Sequence, residues 1–148
     1  MLLKKASILI VDDDPDVLNA LRLLLKPMVR SVTIEKNPNN ISNILSHQPI
    51  DLVILDMNFS GAVHTGNEGI FWLNQIKKIN KDIAVVLMTA YADIDLAIRG
   101  LKEGASDFLV KPWKNEKIIS TLNSAITKKE AAKTSSAISS PSVNIIGE

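Results

Sequence analysis

Ile8-Leu9-Ile10-Val11 runs directly into Asp12-Asp13-Asp14-Pro15. Four aliphatic residues without polar alternation read as a strand buried on both faces, the pattern of a parallel sheet. The pattern recurs three times. Leu52-Val53-Ile54-Leu55 stops on Asp56, residues 83–88 stop on Thr89, and Phe108-Leu109-Val110 stops on Lys111-Pro112. In open α/β sheets the functional crevice lies beyond the carboxyl ends of the strands. These ends therefore gather a carboxylate cluster, a lone carboxylate, a hydroxyl and an ammonium at one edge. That set suits phosphoryl transfer.

Between the strands the apolar spacing turns helical. After Asp14-Pro15, the residues Val17, Leu18, Leu21, Leu24 and Leu25 fall on one helical face. Asp14 is placed to cap this helix, Pro15 to occupy its first position, and Pro27 to end it. Residues 29–34 form a weaker, more polar strand, expected at the sheet edge. Helices are expected over residues 39–47, 70–79 and 94–103, and from 115 to about 130. In the second of these Leu73, Ile76 and Ile79 share a face, flanked by Phe71 and Trp72. Ile94, Ala97, Ile98 and Leu101 do so in the third, and Ile118, Ile119, Leu122, Ala125 and Ile126 in the last. Residues 57–69 read as a loop rich in Gly, Ser, Thr and Asn. Five successive βα units imply a parallel sheet with helices on both faces and right-handed crossovers.

Composition fits a single domain. The chain has 148 residues, 46% of them hydrophobic, enough to bury a core. Seventeen basic and sixteen acidic residues nearly cancel, so bulk charge points to neither nucleic acid nor a membrane surface. The absence of cysteine removes disulfides and thiolate metal sites. There is no stretch apolar enough to span a bilayer, and no signal-peptide core at the N-terminus; a cytoplasmic domain is expected. From Lys133 the sequence becomes Thr-Ser-Ser-Ala-Ile-Ser-Ser-Pro-Ser, a polar linker. The expected organisation is a folded domain over 1–131, a linker over 132–142, and an apolar run at 143–148 that looks like the opening of a further element.

The chemistry centres on Asp12, Asp13 and Asp56. If the strands take the order 2-1-3-4-5, the first and third are neighbours and these carboxylates converge. Clustered carboxylates raise one another's pKa unless a cation joins them. Mg2+ suits such a cluster, because it accepts one or two carboxylates and keeps other positions for water and phosphate oxygens. A capping turn accounts for Asp14 but leaves Asp12 and Asp13 unexplained. Asp56 is the candidate nucleophile, able to take a phosphoryl group as a mixed anhydride. Lys111 supplies a movable point charge for carboxylate and phosphate, and Thr89 a hydroxyl for a phosphoryl oxygen. His47 and His64 have no partner at metal-ligand spacing and read as surface residues. Trp72 and Trp113 read as packing residues.

Val11-Asp12-Asp13, Leu55-Asp56, Met88-Thr89-Ala90 and Val110-Lys111-Pro112 together resemble the signature of response-regulator receiver domains of two-component signalling, over roughly residues 5–130. The resemblance implies a flavodoxin-like α/β fold: a doubly wound, five-stranded parallel sheet in the order 2-1-3-4-5, with helices on both faces. It implies that Asp56 accepts a phosphoryl group from a sensor histidine kinase. Asp13 would bind Mg2+ directly and Asp12 through water, with the backbone carbonyl of Asn58 as a further ligand. It also implies a cis Lys111-Pro112 bond and a switch in which Thr89 moves toward the phosphoryl group and Phe108 turns inward behind it. The output surface would comprise the Ile94 helix, the Phe108 strand and the Ile118 helix, with homodimerisation through it. The chain would be a phosphoacceptor, not an enzyme acting on a separate metabolite, and this segment would bind no nucleic acid.

One departure stands out. Receivers usually carry Pro soon after the phosphoacceptor and reach an Asp-Gly or Asn-Gly pair within a short loop. Here the loop is several residues longer and lacks Pro, and Glu68-Gly69 looks like the equivalent pair. The tail Ile145-Ile146-Gly147-Glu148 is similar to the opening of the AAA+ domain in nitrogen-regulation-type activators that work with the alternative sigma factor, which implies an output domain in transcription regulation.

Two other readings compete. Asp12-Asp13-Asp14 contains the Asp-x-Asp of haloacid-dehalogenase-type phosphatases, with Asp12 as nucleophile and Asp14 as general acid. That family needs a later acidic pair, and beyond Lys111 only the isolated Glu116, Glu130 and Glu148 remain. The other is a degenerate receiver serving only as an interaction module; the complete Asp12, Asp13, Asp56, Thr89 and Lys111 set argues against it.

Overall fold

A computed structural model of the chain describes residues 2–59 and 67–139. Ser7–Val11 (β1), Ser31–Glu35 (β2), Leu52–Asp56 (β3), Ala84–Ala90 (β4) and Asp107–Lys111 (β5) form one sheet. Its order is β2-β1-β3-β4-β5 and every neighbouring pair is parallel. The helices are Pro15–Leu25 (α1), Ile41–His47 (α2), Asn67–Ile79 (α3), Ile94–Lys102 (α4) and Asn115–Ser139 (α5), with short 3-10 turns at Leu2–Lys5, Pro38–Asn40 and Tyr91–Asp93. This is the doubly wound, flavodoxin-like arrangement.

Side-chain alternation along the central strands divides the interior in two. Ile8, Ile10, Leu52, Ile54, Val86 and Met88 face one core, built with Leu18, Leu21 and Leu25 of α1 and Ile118, Leu122 and Ile126 of α5. Leu9, Val11, Val53, Leu55, Val85 and Leu87 face the other, with Ile41 of α2 and Leu73 and Ile76 of α3. Both faces of β1 and β3 are fully covered, which is why these strands carry no polar alternation. Each buried Leu or Ile contributes about 1.5–3 kcal/mol relative to exposure. β2, the polar strand, lies at the sheet edge and is only partly covered.

α1 begins as its sequence dictates. Asp14 has extended backbone geometry, its side chain accepts the Asp16 N–H at 2.9 Å, and Pro15 takes the first helical position, where no donor is needed. Trp113 packs against the α1–α5 core and Trp72 against the other, as packing residues.

Several boundaries differ from those expected. β2 starts two residues later than residue 29, and the segment from Pro38 opens as a 3-10 turn before α2. α3 starts at Asn67, three residues early. The last helix, expected to end near residue 130, continues to Ser139, so the Ser- and Thr-containing stretch through 139 is helical. Not every residue of the apolar stripes is covered: Ile79 and Ile98 are each 42% exposed and Phe71 is 51% exposed. The expectations for residues 60–66, His64 among them, and for 140–148 lie outside the described residues.

Candidate functional site

Parallel register brings the strand ends level. Val11 pairs with Leu55, Asp56 with Met88, and Ala90 with Lys111, so Asp12, Asp56, Thr89 and Lys111 emerge at one edge. The Asp12 N–H donates to the Glu35 carbonyl at 3.2 Å, and Met57 N–H to the Met88 carbonyl at 2.8 Å, which extends the ladder to the site.

Asp12 is fully buried, with both carboxylate oxygens engaged. Oδ1 accepts the Asp14 N–H and Oδ2 accepts Lys111 Nζ, each at 2.9 Å. Lys111 Nζ also donates to Asp56 Oδ1 at 3.2 Å, so one ammonium bridges two carboxylates from different strands. Carboxylate oxygens of Asp12, Asp13 and Asp56 lie within 4.8 Å of one another, with Asp13 the most accessible of the three. The peptide bond between Lys111 and Pro112 is cis.

The electrostatics follow from this crowding. Burial, joined by the Asp12 charge, pushes the Asp56 carboxyl up to about 6, while Lys111 and the backbone N–H of Asn58 oppose the rise. Burial acts to lower Lys111, but its hydrogen bond to Asp12 and the charges of Asp56 and Asp12 outweigh that, and its pKa is raised. Lys111 offsets one of three carboxylate charges. A hard divalent cation with oxygen ligands fits the surplus, and the donor set is wholly oxygen. The residues present therefore suit Mg2+.

The remaining expected residues are placed as follows. Thr89 is buried at the end of β4, and its hydroxyl donates to the Ala90 carbonyl at 3.3 Å. Asn58 is half-buried, and its side-chain amide donates to Asp93 Oδ2 at 2.8 Å. Phe108 is half-buried against the α3 side of the sheet and borders a surface hollow of about 560 Å3 shared with Trp113 and Lys117. His47 is exposed, its Nδ1 against the Asn43 carbonyl at 2.8 Å, a surface residue. Asp14 is an exposed helix cap. Asp93 carries no motif and stands 35 residues from Asn58; periodicity and spacing contain no signal for it.

The response-regulator receiver-domain profile matches residues 8–123. The chain belongs to that family. It is 33% identical over 123 residues to the transcriptional regulatory protein ZraR of Klebsiella oxytoca, an alignment covering 83% of this chain and 27% of that protein. It is 29% identical over 141 residues to the DNA-binding transcriptional regulator NtrC of Klebsiella pneumoniae, covering 94% and 29%. The receiver domain thus spans less than a third of these relatives. Among solved structures, the N-terminal signal receiver domain of a two-component response regulator from Bacteroides fragilis is 51% identical with a TM-score of 0.75, covering 82% of this chain and 97% of that one. NtrX of Brucella abortus, at 24% identity and TM-score 0.82, shares the fold over 91% of this chain and 30% of its own. The two-component receiver assignment read from the strand-end residues therefore holds. Among the described residues no helix is long and apolar enough to cross a membrane.

Proposed function

We propose that this receiver accepts a phosphoryl group on Asp56 from the phosphohistidine of a sensor kinase and passes the change to an output domain of a longer chain. The single observation that carries the reading is the Lys111 ammonium bridging Asp12 and Asp56 beside Asp13. At neutral pH most Asp56 is ionised despite a pKa near 6, so a carboxylate oxygen is free to attack. The O–P bond forms as the N–P bond breaks, and the departing imidazole nitrogen keeps the electron pair and takes a proton from water. Lys111 meets the charge on the incoming phosphoryl oxygens while remaining tied to Asp12.

Asp13, with Asp56 and the Asn58 carbonyl, would hold Mg2+, and Asp12 would reach it through water. Bound there, the cation neutralises phosphoryl charge. Thr89 would turn its hydroxyl from the Ala90 carbonyl to a phosphoryl oxygen, and Phe108 would follow inward. The readout would be the face of α4, β5 and α5, open to a second copy of the domain or to its output partner. Likeness to ZraR and NtrC supports transcription regulation as the output, in the cytoplasm. Asp14, which the phosphatase alternative needs as general acid, is committed to capping α1.

Intact mass after incubation with a small-molecule phosphodonor and Mg2+ tests the reading. One phosphate adduct is expected, dependent on Mg2+ and lost in Asp56→Ala. An adduct that survives Asp56→Ala but vanishes in Asp12→Ala would move the nucleophile to β1 and sink the proposal.

A further inference from the structure

Asp93 ends the turn Tyr91–Asp93 and occupies the N-cap of α4. An aspartate there ordinarily turns its carboxylate onto the N–H groups of the first helical turn. Asp93 makes no such bond. Its Oδ2 accepts the Asn58 amide at 2.8 Å instead. A carboxylate can only accept, so the amide nitrogen of Asn58 must face it. Asn58 is two residues past Asp56, and its backbone N–H favours the ionised form of the Asp56 carboxyl. A single residue therefore acts on the acceptor carboxylate through its backbone and holds the start of α4 through its side chain.

We infer that Asp93 is a positioning residue for the Asp56 site, acting through Asn58. By holding the side chain of Asn58 it orients the backbone next to Asp56 and the carbonyl assigned to the cation; the inference rests on that reading. The same carboxylate has a second possible partner in the uncapped N-terminus of α4. With its side chain turned to Asn58, Asp93 leaves the first turn of α4 without a side-chain cap.

The experiment compares Mg2+ affinity by isothermal titration calorimetry, and Asp56 phosphorylation rate by intact mass, in the full chain and its variants. Asp93→Ala is expected to weaken Mg2+ binding and slow phosphorylation, each by about two- to tenfold, the size of one lost hydrogen bond. Asp93→Asn keeps an acceptor oxygen for Asn58 and is expected to recover most of the loss. Asn58→Ala with Asp93→Ala should be no worse than the poorer single variant, as for two partners in one contact. Native Mg2+ affinity and rate in Asp93→Ala, with only faster amide exchange in the first turn of α4, would make Asp93 a structural residue and overturn the inference. So would Asp93→Asn as impaired as Asp93→Ala, since charge alone would then explain the effect. Failure of the phosphoacceptor reading shows separately, as no Asp56-dependent adduct in the native chain, and leaves the Mg2+ comparison standing as a test.

Discussion

Burial and the adjacent Asp12 charge raise Asp56 from 3.8 to about 6 while Lys111 pulls the other way, so the folded protein holds this proton more tightly than the unfolded chain does. The sign follows from linkage: where the folded state binds more protons, stability falls as pH rises. Asp56 thus favours folding at low pH, and that contribution is lost between pH 3.8 and about 6. Above this window the ionised carboxylate is a standing cost, up to about 3 kcal/mol at 1.36 kcal/mol per pKa unit. Asp56→Asn, an uncharged isostere, is therefore expected to stabilise the metal-free protein at pH 7 by roughly 1–3 kcal/mol. Urea unfolding with chelator should show the gap at pH 7 and its closure near pH 4. A destabilised Asp56→Asn at pH 7 would mean that the bond to Lys111 outweighs the burial.

Among the elements, α4 packs against the sheet through small residues. Ala97 and Gly100 are its fully buried positions, and a Cβ built on Gly100 would meet the Leu87 side chain of β4. Leu87 lies in the α3-side core and cannot withdraw to solvent. Gly100→Val should cost about 1–3 kcal/mol by overpacking, despite the poor helix propensity of glycine, and should push α4 outward from the sheet. Thermal unfolding measures the first and amide exchange across α4 the second; unchanged stability would show that the helix has room. The elements were legible wherever one physical rule governs them. Short aliphatic runs bounded by turn residues read as strands covered on both faces, and Asp14-Pro15 ahead of a helical apolar face reads as a helix start. Length was less legible: α5 runs past Glu130 because Ser and Thr lower helix propensity only slightly when the preceding turns are anchored by Ile118, Leu122 and Ile126. Side-chain choices between distant elements were not legible at all. Nothing local says that Thr89 turns to its neighbour's carbonyl, or that Asp93 prefers Asn58 to its own helix.

At the scale of the whole molecule, the site exists only in the folded chain. Asp12, Asp56, Thr89 and Lys111 lie at the ends of four strands, and the Lys111–Asp12 contact spans 99 residues. A ligand that requires these groups together binds the folded state and not the unfolded one, so its binding energy becomes folding energy. Mg2+ at ten times its dissociation constant should then stabilise by about 1.4 kcal/mol. For a domain of this size that raises the melting temperature by roughly 3–6 °C. Asp13→Ala should abolish the shift while changing metal-free stability little, because Asp13 is the most accessible of the three carboxylates. Calcium should give a smaller shift, since a site with few protein oxygens leaves a larger ion under-coordinated. Differential scanning calorimetry with and without chelator reads all three. A melting temperature indifferent to Mg2+ in a chain that still folds would mean that Lys111 alone satisfies the carboxylates, and that the edge of this sheet is an ion-pair network with no place for a metal.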